Sequence, residues 1–248
     1  MTPMIGTVNG DQDAARIPVR SEQRARFGRT DLRNAVNGLS SIRAQRLIRA
    51  ARAWSLQIEE LASAGHSVMH EVLGRHAVAE PWAQYPAHMV EDPRSGAGYF
   101  FHSHGSSSSH PDERGHFHVF VRGFGARPSH LLAIAIDPYG MPIRLFTTNR
   151  WVTGENWTCA EALLAQADRY SLVAPNSSEV VNRWITQCIR LFQPQLQWLV
   201  YRRDARLRSL AAVRDVERVF EDRRVEILSE CRISVGQQMA ALRAALDA

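Results

Sequence analysis

Histidines 102, 104, 116 and 118 form two His-x-His pairs inside a window of seventeen residues that also holds His110. Neutral imidazole ligates zinc, copper, iron and nickel, so a cluster this dense points first to a transition-metal site. A purely structural zinc site usually draws on cysteine and is closed by four ligands, whereas a catalytic site keeps one position for water or substrate. The window contains no cysteine. Three or four imidazoles with an open position suit ferrous iron or copper activating oxygen, and equally a zinc-bound hydroxide.

Two strands have to position these ligands. Gly98–His104 and Gly115–Arg122 are rich in aromatic and β-branched residues and are bounded by Gly, Ser and Pro. Alternate side chains on a strand share a face, so each pair presents both imidazoles on one side. The serine-rich stretch Gly105–Arg114 reads as the loop joining them. If the strands pair, four imidazoles meet in one patch. On that loop, Glu113 and Asp112 offer a carboxylate as ligand, as orienter of a histidine, or as general base. Arg122 has the parity of His116 and His118 and would clamp an anionic group on a substrate. His66 and His70 are four apart in a helical stretch, a spacing that shares a helix face, and with His110 they are additional candidate ligands.

The rest of the 248-residue chain reads as helices, a small sheet, then helices. Apolar residues recur at helical spacing from Asp31 to Leu73, with Gly65 as an interruption, after a polar tail over residues 1 to about 30. Gly74 to Gly96, with its three prolines, reads as an irregular connection. Leu131–Ile136 and Pro142–Thr148 add two strands about an Asp137–Gly140 turn. Helical patterns follow over Cys159–Tyr170, Ser177 to about Arg202, and Ala205–Ala248 with breaks, and Pro194 kinks or splits the middle one. The expected fold is α+β, a small antiparallel sheet of about four strands covered by N- and C-terminal helices, with residues 31–248 as one domain.

Composition narrows the chemistry. Hydrophobic content of 45% and charged content of 22% are ordinary for a globular chain, and all 30 basic residues are arginine. Without lysine there is no Schiff base and no P-loop lysine. The arginines are spread along helices and interleaved with acids, as solvated faces would be, so nucleic acid is not an expected partner despite a net charge of +5. Three scattered cysteines, no leader-like N-terminus and no long apolar run give a cytoplasmic reading without membrane association.

Several families share fragments of the window. Phe101–His104 looks like the His-Ser-His-Pro motif of the JAB/MPN metalloproteases, but that family's serine and aspartate positions hold Asp112 and Gly115. His116–Val121 is similar to the histidine-triad nucleotide hydrolases, with Phe120 in the third histidine's place. In cupins a Glu follows the His-x-His closely, whereas Glu113 lies nine residues after His104. Tyr85-Pro86, Asp92-Pro93 and Tyr99 through Arg122 together resemble an uncharacterised bacterial domain family with a core of aromatic-aromatic-His-x-His, a variable loop, and Gly-His-Phe-His-x-Phe. That resemblance implies a shared fold and site, and supplies no reaction. From the residues, the expectation is a metal-dependent enzyme acting on a small molecule, an iron or copper oxidoreductase ahead of a zinc hydrolase. A non-catalytic metal- or haem-binding protein is the alternative.

Overall fold

The computed structural model describes residues 26–74, 79–104, 110–122 and 127–246. Six antiparallel strands lie side by side in chain order: β1 (Gln84–Glu91), β2 (Gly98–His102), β3 (Gly115–Val121), β4 (Ser129–Ile136), β5 (Pro142–Thr148) and β6 (Ile227–Arg232). The α+β expectation holds, with six strands in place of about four. Both additional strands are edges. β1 comes from the proline-rich stretch read as irregular, and it keeps Pro86 by losing register with β2 between Tyr85 and Val90. An edge strand with a bulge tolerates the missing backbone donor. β6 lies inside the stretch read as helical. It is held to β5 by a Thr147–Ser229 hydroxyl contact of 2.6 Å, and the Ser229 hydroxyl also lies 2.9 Å from the Leu199 carbonyl oxygen.

Nine helices are described: α1 (Arg29–Asn37), α2 (Ser41–Ser63), α3 (Val68–Leu73), α4 (Arg150–Thr153), α5 (Ala160–Ala167), α6 (Glu179–Leu191), α7 (Gln193–Ala211), α8 (Val216–Phe220) and α9 (Val235–Leu246). Gly65, at φ 67°, follows the end of α2 and separates it from α3, as its residue type predicts. Pro194 splits the expected middle helix, sitting in the first turn of α7 where its missing N–H costs nothing. Of the tail expected over residues 1 to about 30, residues 1–25 lie outside the described residues, and α1 already starts at Arg29. Among the described residues no helix is long and apolar enough to cross a membrane.

Alternation divides the sheet's two faces. Tyr99, Phe101, Phe117, Leu132, Ile134 and Leu145 join the helices in the main core, where Phe117 packs 5.3 Å from Trp184 and Trp184 lies 5.2 Å from Trp54. The opposite face carries a small separate cluster of Ala133, Ala135 and Phe146. The histidines belong to that second face.

Gly115 lets β2 and β3 close on each other just before His116. A Cβ there would strike the Phe101 ring and come within 2.6 Å of the His102 carbonyl oxygen. Gly115→Ala is therefore expected to destabilise the fold by about 2 kcal/mol or more, lowering Tm by several degrees in a thermal melt. An unchanged Tm would show that the strands can separate there at no cost.

Candidate metal centre

The register between β2 and β3 sets His102 opposite His116 and Phe100 opposite His118. On the next strand His116 faces Ala135 and His118 faces Ala133. A methyl group opposite each imidazole leaves the ring its space, and Phe146 turns its ring against His116 at 5.0 Å. His104 stands two residues on, beyond the end of β2, stacked on Trp82 at 4.3 Å. The rings of His102, His104 and His116 lie 4.4 to 5.2 Å apart. One ring nitrogen from each falls within 4.8 Å of the others, close to the roughly 3–4 Å spacing of nitrogens sharing one ion at 2.0–2.1 Å. His102 Nε2 and His104 Nε2 are 3.1 Å apart.

Electrostatics keeps His102 and His116 neutral. Burial pushes His102 down to about 3, with His116 and His104 adding to the effect. Burial lowers His116 as well, against the opposing pull of Glu113. Neutral imidazoles keep a lone pair for a metal. His116 is 5% exposed while Trp82 is 66% exposed, so the group opens to solvent on the His104 side.

Glu113 fixes the tautomer of His116. A carboxylate only accepts, so the 2.6 Å contact to His116 Nδ1 is a donation from that nitrogen, and it leaves Nε2 as the ligand atom. The other carboxylate oxygen takes a 2.6 Å hydrogen bond from Arg144, which also bonds Glu230 at 3.1 Å and lies over the Phe146 ring. Burial works against this carboxylate, but His116 and Arg144 outweigh it and hold Glu113 down at about 2. Glu113 reaches this place through a turn in which its N–H bonds the His110 carbonyl, with Pro111 suited to the second position. Of the three roles open to Glu113 in the sequence, orientation of a histidine matches the geometry.

His118 joins the patch differently. Its ring lies 4.9 Å from His116 and 5.1 Å from His102, yet its Nδ1 shares a 3.0 Å hydrogen bond with His130 Nε2 and it is not in the three-nitrogen group. His130 Nδ1 in turn meets the Thr148 hydroxyl at 3.2 Å, and the His130 backbone N–H donates to Glu155. Burial holds His130 at about 3 and raises Glu155 to about 8. Sequence reasoning missed His130. By simple alternation it shares the face of Leu132 and Ile134, but the pairing slips by one residue between Val119 and Phe120, leaving Leu131 as an extra residue. That bulge turns His130 onto the histidine face opposite Phe120.

Other candidates are not brought to the cluster. Arg122 follows the last residue of β3, and its guanidinium donates to the carbonyls of Pro93 at 3.0 Å and Arg94 at 3.3 Å, so it ties down the β1–β2 connection. His66 and His70 stack on each other at 5.3 Å. His70 Nδ1 accepts from the Ser67 N–H at the start of α3, and His66 faces Glu71 at 3.8 Å. Asp112 lies 3.9 Å from Arg232 on the surface. His110 contributes its backbone to the Glu113 turn and is not in the three-nitrogen group. A cavity of about 450 Å³ borders Phe100 and Phe120, the rings against His118 and His130, with Glu155 and Met89 also lining it.

No curated protein and no solved structure matches the chain. One family does, over residues 48–233, a span that runs from within α2 through all six strands and takes in His102, His104, Glu113, His116, His118 and His130. The chain thus belongs to the family described as Domain of unknown function (DUF6969).

Proposed function

We propose that His102, His104 and His116 hold a single transition-metal ion and that the protein is a metal-dependent enzyme acting on a small molecule. The observation that carries this reading is the 3.1 Å separation of His102 Nε2 and His104 Nε2 beside the Glu113-oriented His116. Two bare nitrogen lone pairs repel at that distance, so a shared proton or a cation has to lie against them. The same spacing suits two ligands at about a right angle around an ion bonded at 2.0–2.1 Å.

Iron or copper with oxygen is the preferred chemistry. Phe100, Phe146 and Trp82 surround the histidines with aromatic rings, and Glu113 is engaged by both His116 and Arg144, so it is poorly placed as the base for a hydrolytic water. The metal would supply redox activation of oxygen. The protein supplies three convergent imidazoles, of which burial holds His102 and His116 neutral and Glu113 orients His116, together with an apolar surround and an open side at His104. Zinc hydrolysis is the second reading, favoured by the three-imidazole set itself, which with one open position is sufficient for a zinc-bound hydroxide.

The test is metal analysis of untagged protein, before and after anaerobic loading with ferrous iron, cuprous copper or zinc, followed by oxygen-uptake measurements on the loaded forms. About one iron or copper per chain, with oxygen consumed on addition of a reductant, is the expected result. Zinc alone at one per chain would replace the oxidoreductase reading by the hydrolytic one. No retention of any of the three metals would overturn the site.

A further inference from the structure

A second cavity, of about 520 Å³, is formed by the N-terminal half of α2, the end of α5 and α6. Its floor is apolar: Leu47, Ala50, Ala167 and Ile189 are all buried. Alanine at positions 50 and 167, where larger apolar residues would fill the gap, leaves the space open. Its walls are cationic. Arg43, Arg46, Arg49, Arg169 and Arg190 line it together with a single acid, Asp168.

That acid does not neutralise them. Asp168 lies 3.8 Å from Arg43, a long and half-exposed pair, and also meets Gln193. Arg190 donates to the Tyr170 carbonyl oxygen, which carries no formal charge. Arg46, Arg49 and Arg169 have no ion pair among the described residues. Burial lowers the affinity of Arg190 for its proton. In sequence these arginines read as a solvated helix face. The fold instead converges five of them, from three separate segments, on one concavity.

We propose that this cavity binds a small organic phosphate, with its phosphoryl group held by Arg46, Arg49 and Arg169 and its apolar body on the Leu47–Ile189 floor. Arginine forks match phosphate oxygens two at a time and remain charged at all physiological pH values. The volume falls in the range of small-molecule sites, roughly 300–1,000 Å³. The apolar floor distinguishes this ligand from a bare inorganic anion. The site is separate from the histidine cluster and does not depend on a metal.

Isothermal titration calorimetry of the full chain with phenyl phosphate, inorganic phosphate and benzoate tests each element. Phenyl phosphate is expected to bind at least about tenfold more tightly than either of the others, since only it satisfies both floor and walls. Arg46→Gln and Arg169→Gln, at exposed positions whose loss leaves no partner unpaired, are each expected to weaken phenyl phosphate about tenfold, a loss of one favourable charged contact. Arg218→Gln on α8 makes the same change in charge elsewhere and is expected to leave affinity unchanged, as is His102→Ala. Equal weakening by Arg218→Gln would reduce the effect to overall charge and overturn the site. So would absence of phenyl phosphate binding at millimolar concentration, or binding that neither cavity variant alters. Retention in His102→Ala keeps this result distinguishable from failure of the metal reading.

Discussion

His116→Ala is expected to abolish tight metal binding, whereas His118→Ala is expected to leave one metal per chain. Both residues belong to the same His-x-His pair on β3 and both are buried, at 5% and 1% exposure. Burial alone therefore predicts no difference between them. The difference lies in where their second nitrogens point. His116 Nδ1 is taken by Glu113, leaving Nε2 toward His102 and His104, while His118 Nδ1 is taken by His130 and the residue falls outside the three-nitrogen group. Removing one of three ligands is expected to weaken binding more than a hundredfold, about 3 kcal/mol or more. Removing His118 takes away only packing and polarity beside the site. Competition titration against a chromophoric chelator, with folding checked by circular dichroism, measures both. A loss in His118→Ala as large as in His116→Ala would place His118 among the ligands. Unaltered affinity in folded His116→Ala protein would sink the three-histidine centre.

The residues differ in how far their sequence positions foretell these roles. The two His-x-His pairs were legible because alternation on a strand is a rigid rule: His102 and His116 do end as cross-strand partners on one face. The central strands were legible for another reason: β3 and β4 are buried throughout, and their aromatic, β-branched and aliphatic residues form short runs bounded by turn residues. The edges were not. β1 carries a proline and a register break, and β6 is a six-residue strand among helices, so neither offers a clean period of two. His130 was hidden by a bulge at Leu131, a one-residue event with no composition signal. Arg122 failed through the opposite error, because parity was extended one residue past the end of β3, where the guanidinium is free to turn to Pro93 and Arg94. Glu113 was visible as a residue near the pairs, but its role depended on Arg144, thirty-one residues away and brought alongside only when β4 and β5 complete the sheet.

That dependence makes Glu113 the most informative position to change. Its side chain is 5% exposed and that of Arg144 is 7% exposed, so Glu113→Ala strips a buried guanidinium of its closest counter-charge and leaves it, among the described residues, with Glu230, which is 35% exposed. Breaking a buried pair from one side costs about 3 kcal/mol, and Tm is expected to fall by roughly 10 °C. Metal affinity is expected to fall about 10- to 100-fold as well, because His116 loses the acceptor that fixes its tautomer. These two losses have different causes and can be separated. In the double variant Glu113→Ala with Arg144→Met there is no stranded guanidinium, Glu230 is 35% exposed and can turn to water, and a thioether chain can still lie against the Phe146 ring where the guanidinium did. Tm is expected to recover most of the fall, while metal affinity stays low. Glu113→Gln should land between wild type and Glu113→Ala in both measurements, keeping an acceptor for His116 but not the charge facing Arg144. Recovery of full metal affinity in the double variant would mean that Glu113 only offsets Arg144. Persistent weakness at restored stability assigns it the orientation of His116, and through that residue the shape of the centre itself.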